Sequence, residues 1–398
     1  MNTLQTHFQR QAEFAADYAP LYAHLFGLIA NWLAEDDPDD ELVAWLRETA
    51  DGQNLLHVSL LLMAGLHRAV LAGEPILREL AEYYATAAHP PRPIDDEPGR
   101  LAQLFRAAIL AQRDPLRQFM HHNMVQTNET ARGLAWLLPL SFTHWPAVEL
   151  LDLGASAGLN LVAEQRHFRL FTAAGTHLRD VGLGHPPQFS TTCHGDLPPT
   201  RPYPPTIHQR TGVDLSPFVL DGREATLTLM SFIWADQPQR LERLREATTA
   251  AATAVPPITL HPVTLPDGLP AFLEALPASD TPLVIYNTYI TAYFRETAAE
   301  LGANIGRWAS QQPRPVLWLQ WEPLRDGRQI ASPHPDWCGW TADLWHNGQH
   351  HHWLLGWVHP HGTEAHFGQG TAEFATFCAP KEVSLVICHL SLVKFTYS

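Results

Sequence analysis

The residues best suited to chemistry lie in one run, Val148-Glu149-Leu150-Leu151-Asp152-Leu153-Gly154-Ala155-Ser156-Ala157-Gly158. An apolar stretch of strand type ends in an acidic residue and five consecutive small ones. Leu159–Phe168 then reads as a helix. Strand, small-residue turn and helix let backbone N–H groups come close to a ligand, because no side chain blocks the approach. The start of the helix would add a field that favours a carboxylate or phosphate. The same residues could form a tight turn that serves packing alone. The spacing Asp152-x-Gly154-x-Ser156-x-Gly158 is not the G-x-G-x-x-G of dinucleotide folds.

Other polar residues could complete such a pocket. Asp214 closes the strand-like run Thr206–Val213 and could accept both hydroxyls of a ribose, with Asp180 and Asp196 as rivals. Asp214 lies far beyond the roughly 20 residues usual between glycine loop and acidic residue. Its other reading is an Asx-turn before Pro217. Gln126-Thr127-Asn128-Glu129 precedes a helix. Thr127 or Asn128 could cap that helix, or Asn128 and Glu129 could stand at the mouth of the pocket. Asp236 is expected to cap the helix opened by Pro238, and Trp234 to belong to the core. Glu322 reads as a solvated loop carboxylate in preference to a general base. Among the 23 histidines, His350, His351, His352, His359, His361 and His366 cluster, without an HExxH or a cysteine pair, so no metal site is expected. There is no GxSxG elbow and no P-loop.

These residues need elements to position them. Residues 1–145 show helical spacing, as in Phe14, Tyr18, Leu21, Leu25 and Ile29, and His89-Pro90-Pro91-Arg92-Pro93 must break any helix. From 146 on, apolar runs alternate with helical segments. Val148–Leu153, Leu227–Trp234, Leu283–Tyr289, Val316–Trp321 and His352–Val358 read as strands; Gln237–Ala252, Leu269–Leu276 and Ala292–Ser310 read as helices. That alternation predicts a mostly parallel sheet. An insertion at about 171–215 interrupts it, with a hairpin over Arg169–Asp180. The tail, 367–398, holds one further strand candidate, Val383–Leu392.

The formal net charge of −15, from 26 basic and 41 acidic residues, disfavours general nucleic-acid binding. Cys193, Cys338, Cys378 and Cys388 form no CxxC pair, which fits a reducing cytoplasm. The start of the chain lacks a signal-peptide pattern, and no apolar run is expected to approach the roughly 18 residues of a membrane span. A cytoplasmic protein is expected, without membrane partners.

The Asp152–Gly158 loop resembles the S-adenosylmethionine loop of class I methyltransferases. Gly154-Ala-Ser-Ala-Gly158-Leu-Asn160 and Val125-Gln-Thr-Asn-Glu129 together are similar to a bacterial family, domain of unknown function 2332. So are Gly212-Val-Asp214-Leu-Ser-Pro217, Trp234-Ala-Asp-Gln-Pro-Gln-Arg240 and His359-Pro-His-Gly362. The resemblance covers residues 5–366. It implies an α/β fold: a helical N-terminal cap (1–145), then a Rossmann-like class I methyltransferase sheet (146–366). It implies S-adenosylmethionine as cofactor, held by Asp152, Gly154, Ala155, Ser156, Gly158, Asn160 and Asp214. It also puts Tyr286-Asn287-Thr288-Tyr289 at the end of the fourth strand, where Asn287 and Glu129 would serve the reaction and Asn128 and Tyr289 the substrate side. The expected function is methyl transfer to a small-molecule acceptor. The alternative is a protein of the same fold that binds S-adenosylmethionine or another nucleotide without turnover.

Overall fold

Nearly every residue of Ala147–Leu153 is buried, as in a strand covered on both faces. The computed structural model describes residues 3–379 except 36, 38, 127, 186–188, 202, 295–296, 324–331, 333 and 335. Among these, eleven strands form one sheet: β1 (Ala147–Leu153), β2 (Phe168–Thr172), β3 (His177–Val181), β4 (Phe189–His194), β5 (Thr206–Asp214), β6 (Ile258–Pro262), β7 (Leu283–Thr288), β8 (Val316–Glu322), β9 (Cys338–His346), β10 (Gln349–Val358) and β11 (Glu364–Phe367). Their order is β3-β2-β4-β11-β10-β9-β8-β7-β1-β5-β6.

The half β6-β5-β1-β7-β8 is wholly parallel. Alternate residues feed two cores. Val148, Leu150, Val284, Tyr286, Leu317 and Leu319 pack in one with the helix Leu134–Leu140. Leu151, Leu153, Leu283, Ile285 and Val316 pack in the other with the helices Leu269–Glu274 and Ala298–Ala309. From β8 outward the sheet is mixed. β9, β10 and β11 run antiparallel in sequence, then the insertion adds β4, β2 and β3 at the far edge. The molecule is therefore a mixed α/β fold with helices over a large central sheet.

Several expectations change. Leu227–Trp234 is not a strand: Arg223–Ser231 is a helix, and it lies against the apolar helix Leu55–Ala72. The strands β6 and β9 were not expected. Leu159–Gln165 is a 3₁₀ segment kinked at Val162, not a helix to Phe168. Side chains claim its carbonyls: Trp136 Nε1 donates to Asn160 O at 2.8 Å, and Arg210, paired with Glu164, donates to Leu161 O. So short and bent a segment carries little macrodipole to a ligand. In the tail, Gln369–Cys378 is a helix whose Phe374 and Cys378 join the main core; Val383–Leu392 lies outside the described residues.

Among the described residues before β1, every element is a helix. Leu55–Ala72 is long and apolar enough to cross a membrane, but most of it is buried inside the protein, as in a core helix. Its His67 reaches Thr86 and Ser231 O, and burial lowers its pKa to about 4. Trp234 stacks between Tyr18 and Tyr22. Asp236 does not cap its own helix. Its carboxylate accepts from the N–H groups of Leu21 (2.8 Å) and Tyr22 (3.2 Å), closing the N-terminus of the helix Pro20–Glu35. We expect Asp236→Ala to lower stability by about 1–2 kcal/mol and Asp236→Asn to recover most of it, measured by chemical denaturation.

Candidate functional site

The glycine turn lies at the carboxyl end of β1, where the sheet order reverses between β5 and β7. Gly154 and Gly158 have φ of +83° and +71°, and Ser156 adopts +49°. A side chain at Gly154 would come within 2.3 Å of Ile290 Cγ2, so here the chain has room only for glycine. The N–H groups of Gly154 and Ala155 both donate to Val213 O, which ties the turn to the end of β5.

Asp214 stands beside this turn. Its carboxylate accepts from Ser156 N at 2.9 Å and from Ser216 N at 3.0 Å. An ionised carboxylate has about four acceptor positions, so capacity remains for a ligand hydroxyl. The second contact is the Asx-turn read from the sequence; the first brings Asp214 to the loop despite the long insertion. Asp180 sits on β3 at the far edge, beside His177 and His167. Asp196 borders a different cavity, with Ser141 and Arg201.

Gln126, Asn128 and Glu129 come next to the turn. Ser156 Oγ donates to Gln126 Oε1 at 2.5 Å, and Asn160 Nδ2 reaches Glu129 O at 3.4 Å. Asn160 Oδ1 and Asn128 Nδ2 are buried without a hydrogen-bond partner among the described residues. Thr127, a cap candidate, lies outside the described residues. Glu129 is the cap: Oε1 accepts from Ala131 N at 3.3 Å. Its Oε2 receives His361 Nδ1–H at 2.9 Å and lies 3.3 Å from Arg240. Burial would raise the Glu129 pKa, but the His361 hydrogen bond and the charges of Arg240, His361 and Arg132 outweigh it and hold it at about 2. Glu129 is only 3 % exposed, so it orients its neighbours and does not itself face the pocket.

Those neighbours, His361 and Arg240, line an open pocket of about 370 Å³ with Phe14, Tyr18, Val125 and Trp234. Both were missed as site residues. Arg240 read as part of a helix start and His361 as one of a histidine cluster. Nothing in their spacing shows that Glu129 joins them across 111 and 232 residues.

The β7 end differs from expectation. Asn287 is fully buried: Nδ2 donates to Glu322 Oε1 and Oδ1 accepts from Trp318 Nε1, each at 2.7 Å. With both amide ends engaged, it supports the strand end and does not reach a substrate. Glu322 is not a solvated loop residue. It is 3 % exposed and holds Ile290 N, Thr291 N and Thr291 Oγ1, while burial raises its pKa. This fixes the loop that carries Tyr289, which has φ +61° and Arg132 over its ring at 5.1 Å. Strained backbone at Ser156 and Tyr289, after the neighbouring strands β1 and β7, fits a site where position matters.

The family model described as an uncharacterized protein conserved in bacteria (DUF2332) matches residues 5–366, and the chain belongs to that family. No curated protein and no solved structure matches it.

Asp152 is buried below the turn, where Tyr286 Oη donates to its Oδ2 at 2.9 Å. Burial, helped by the nearby Asp214 charge and opposed by the Tyr286 hydrogen bond, raises its pKa from 3.8 to about 7. A raised carboxyl favours folding in its protonated form, so its contribution is complete below pH 4 and is lost as pH rises through 7. The penalty above pH 7 is on the order of 4 kcal/mol. We expect Asp152→Asn to match wild type in Tm near pH 4 and to exceed it increasingly up to pH 8; a constant difference would place the Asp152 pKa in the ordinary range.

Proposed function

We propose that this chain is an S-adenosylmethionine-dependent methyltransferase acting on a small-molecule acceptor. One observation carries this reading: the glycine turn lies at the sheet's reversal point with Asp214, from the neighbouring strand end, bonded to it. The order β6-β5-β1-β7-β8 corresponds to the 3-2-1-4-5 order of open nucleotide-binding sheets, which bind ligands at that point. The sheet departs from a simple doubly wound one at β9, which is antiparallel.

The residues fit the cofactor. The buried Asn160 Oδ1 and Asn128 Nδ2, without a hydrogen-bond partner among the described residues, offer an acceptor and a donor beside the turn. Asp152 would lie toward the amino-acid part, the 154–156 turn, whose N–H groups bond Val213 O and Asp214, would line it with small residues, and Asp214 would take the ribose hydroxyls. When bound, the cofactor supplies a methyl group already electrophilic on its sulfonium. The protein has to orient an acceptor, exclude water and remove a proton. Glu129 fixes His361 by its Nδ1–H, which leaves Nε2 as the acceptor nitrogen for that proton. Phe14 and Tyr18 line the pocket with apolar surface and Arg240 with a positive charge, a combination suited to a planar or anionic acceptor.

Titration calorimetry tests the reading. S-adenosylmethionine and S-adenosylhomocysteine should bind wild type at micromolar concentration. Asp214→Asn and Asn160→Ala should each weaken both by about tenfold, the loss of one or two hydrogen bonds. His361→Ala should leave cofactor affinity intact and abolish transfer of labelled methyl to an acceptor panel. No binding of either compound to folded wild type would overturn the assignment. Binding without transfer to any acceptor would favour a non-catalytic cofactor-binding protein.

A further inference from the structure

A second group of side chains lies on the outer half of the sheet. β4 and β11 pair in parallel with His194 directly opposite His366, and Glu364 lies two residues before His366 on the same strand. Period-two alternation turns all three to one side. Cys193, between them in register, points into the core. Their ligand atoms all lie within 4.8 Å of one another. His194 Nε2 is 2.7 Å and His366 Nε2 3.5 Å from the same oxygen, Glu364 Oε1. The two imidazoles stack with centroids 4.0 Å apart.

The hydrogen bonds of this trio do not close. Glu364 satisfies His194, but His366 Nε2, 3.5 Å from the same carboxylate, makes no hydrogen bond among the described residues. Two imidazolium rings stacked this closely would repel, so protonating both is no remedy. One cation among the three atoms would engage both ring nitrogens and the carboxylate at once. We propose that His194, Glu364 and His366 bind a divalent transition-metal ion, zinc first among them. Two histidines and one carboxylate form a three-ligand set that leaves a further position open. Each side chain is about one-third exposed, so an ion can enter from solvent. The backbone is committed to the arrangement. Gly195, at φ +82°, follows His194 where a Cβ would lie 2.5 Å from Phe367 O.

The expectation of no metal site rested on histidine spacing near the end of the chain. The trio escapes that test because His194 comes from the insertion, 170 residues before Glu364. A series of ring contacts, His366–Trp337–His359–His361, leads from it to Glu129.

Untagged full-length protein, freed of metal by chelator dialysis, should be titrated with Zn²⁺ against a chromophoric chelator and with Co²⁺ by visible absorption. The result expected is one equivalent bound, a Co²⁺ spectrum of low coordination number, and a rise in Tm with Zn²⁺. His194→Ala and His366→Ala should weaken Zn²⁺ by at least about 100-fold and remove the rise in Tm. Circular dichroism and Tm without metal check that each variant folds; Glu364→Gln, nearly isosteric, should give the same loss should either histidine variant not fold. His350→Ala, in the separate His350–Asp343–His352 cluster, should bind as wild type does. Absence of stoichiometric Zn²⁺, undiminished binding in folded variants of the trio, or loss in His350→Ala instead would overturn the proposal.

Discussion

A negative charge sealed from water at Glu129 sets the terms for the rest of the site. A buried carboxylate left alone is very costly, and its partners must come from wherever the fold can supply them. Here they come from the 130–133 turn, from Arg240 on the helix Pro238–Ala252 and from His361 in the loop after β10. Asn160, just beyond the glycine turn, bonds the backbone of the same residue. Three distant segments thus meet at one residue, beside the turn that follows it, and two of them, through Arg240 and His361, line the pocket. Arg240 and Arg132 share the compensation of the charge with His361, and the position of His361 in turn depends on this junction.

The two site carboxyls are pushed in opposite directions by unlike surroundings. Glu129 has cations on several sides and stays ionised. Asp152 has a neutral hydroxyl from Tyr286 and another carboxylate nearby, and burial pushes its pKa up to about 7. Divergent environments of this kind mark a place where charge is arranged for use. The Arg210–Glu164 pair, also buried, has the plainer task of bending the segment after the turn.

The parallel half of the sheet could be read from sequence where apolar runs were flanked by clear turns, as at Val148–Leu153, Leu283–Tyr289 and Val316–Trp321. Leu227–Trp234 misled because a short apolar run does not distinguish a buried strand from a helix; packing against Leu55–Ala72 decided it. β6 was hidden by prolines that an edge strand tolerates. β9, buried on nearly every residue, shows no alternation to detect. At the site, the glycine turn and Asp214 were visible as local patterns. Asn287 and Glu322 were placed on the right strand ends, but their mutual hydrogen bond, which removes Asn287 from substrate contact, is a fact of register between β7 and β8. Arg240, His361 and the His194–Glu364–His366 trio are assembled only by tertiary contacts.

The long-range cap at Asp236 bears on how the chain is made. The amides that open the helix Pro20–Glu35, and the tyrosines beside them, wait for Asp236 and Trp234, more than 200 residues downstream. At ribosomal speeds of about 5–20 residues per second, that delay is on the order of 10–40 s. The first part to leave the ribosome is therefore among the last to be completed, and for that interval its apolar surfaces have to be kept from other chains by partial helix packing or by a chaperone.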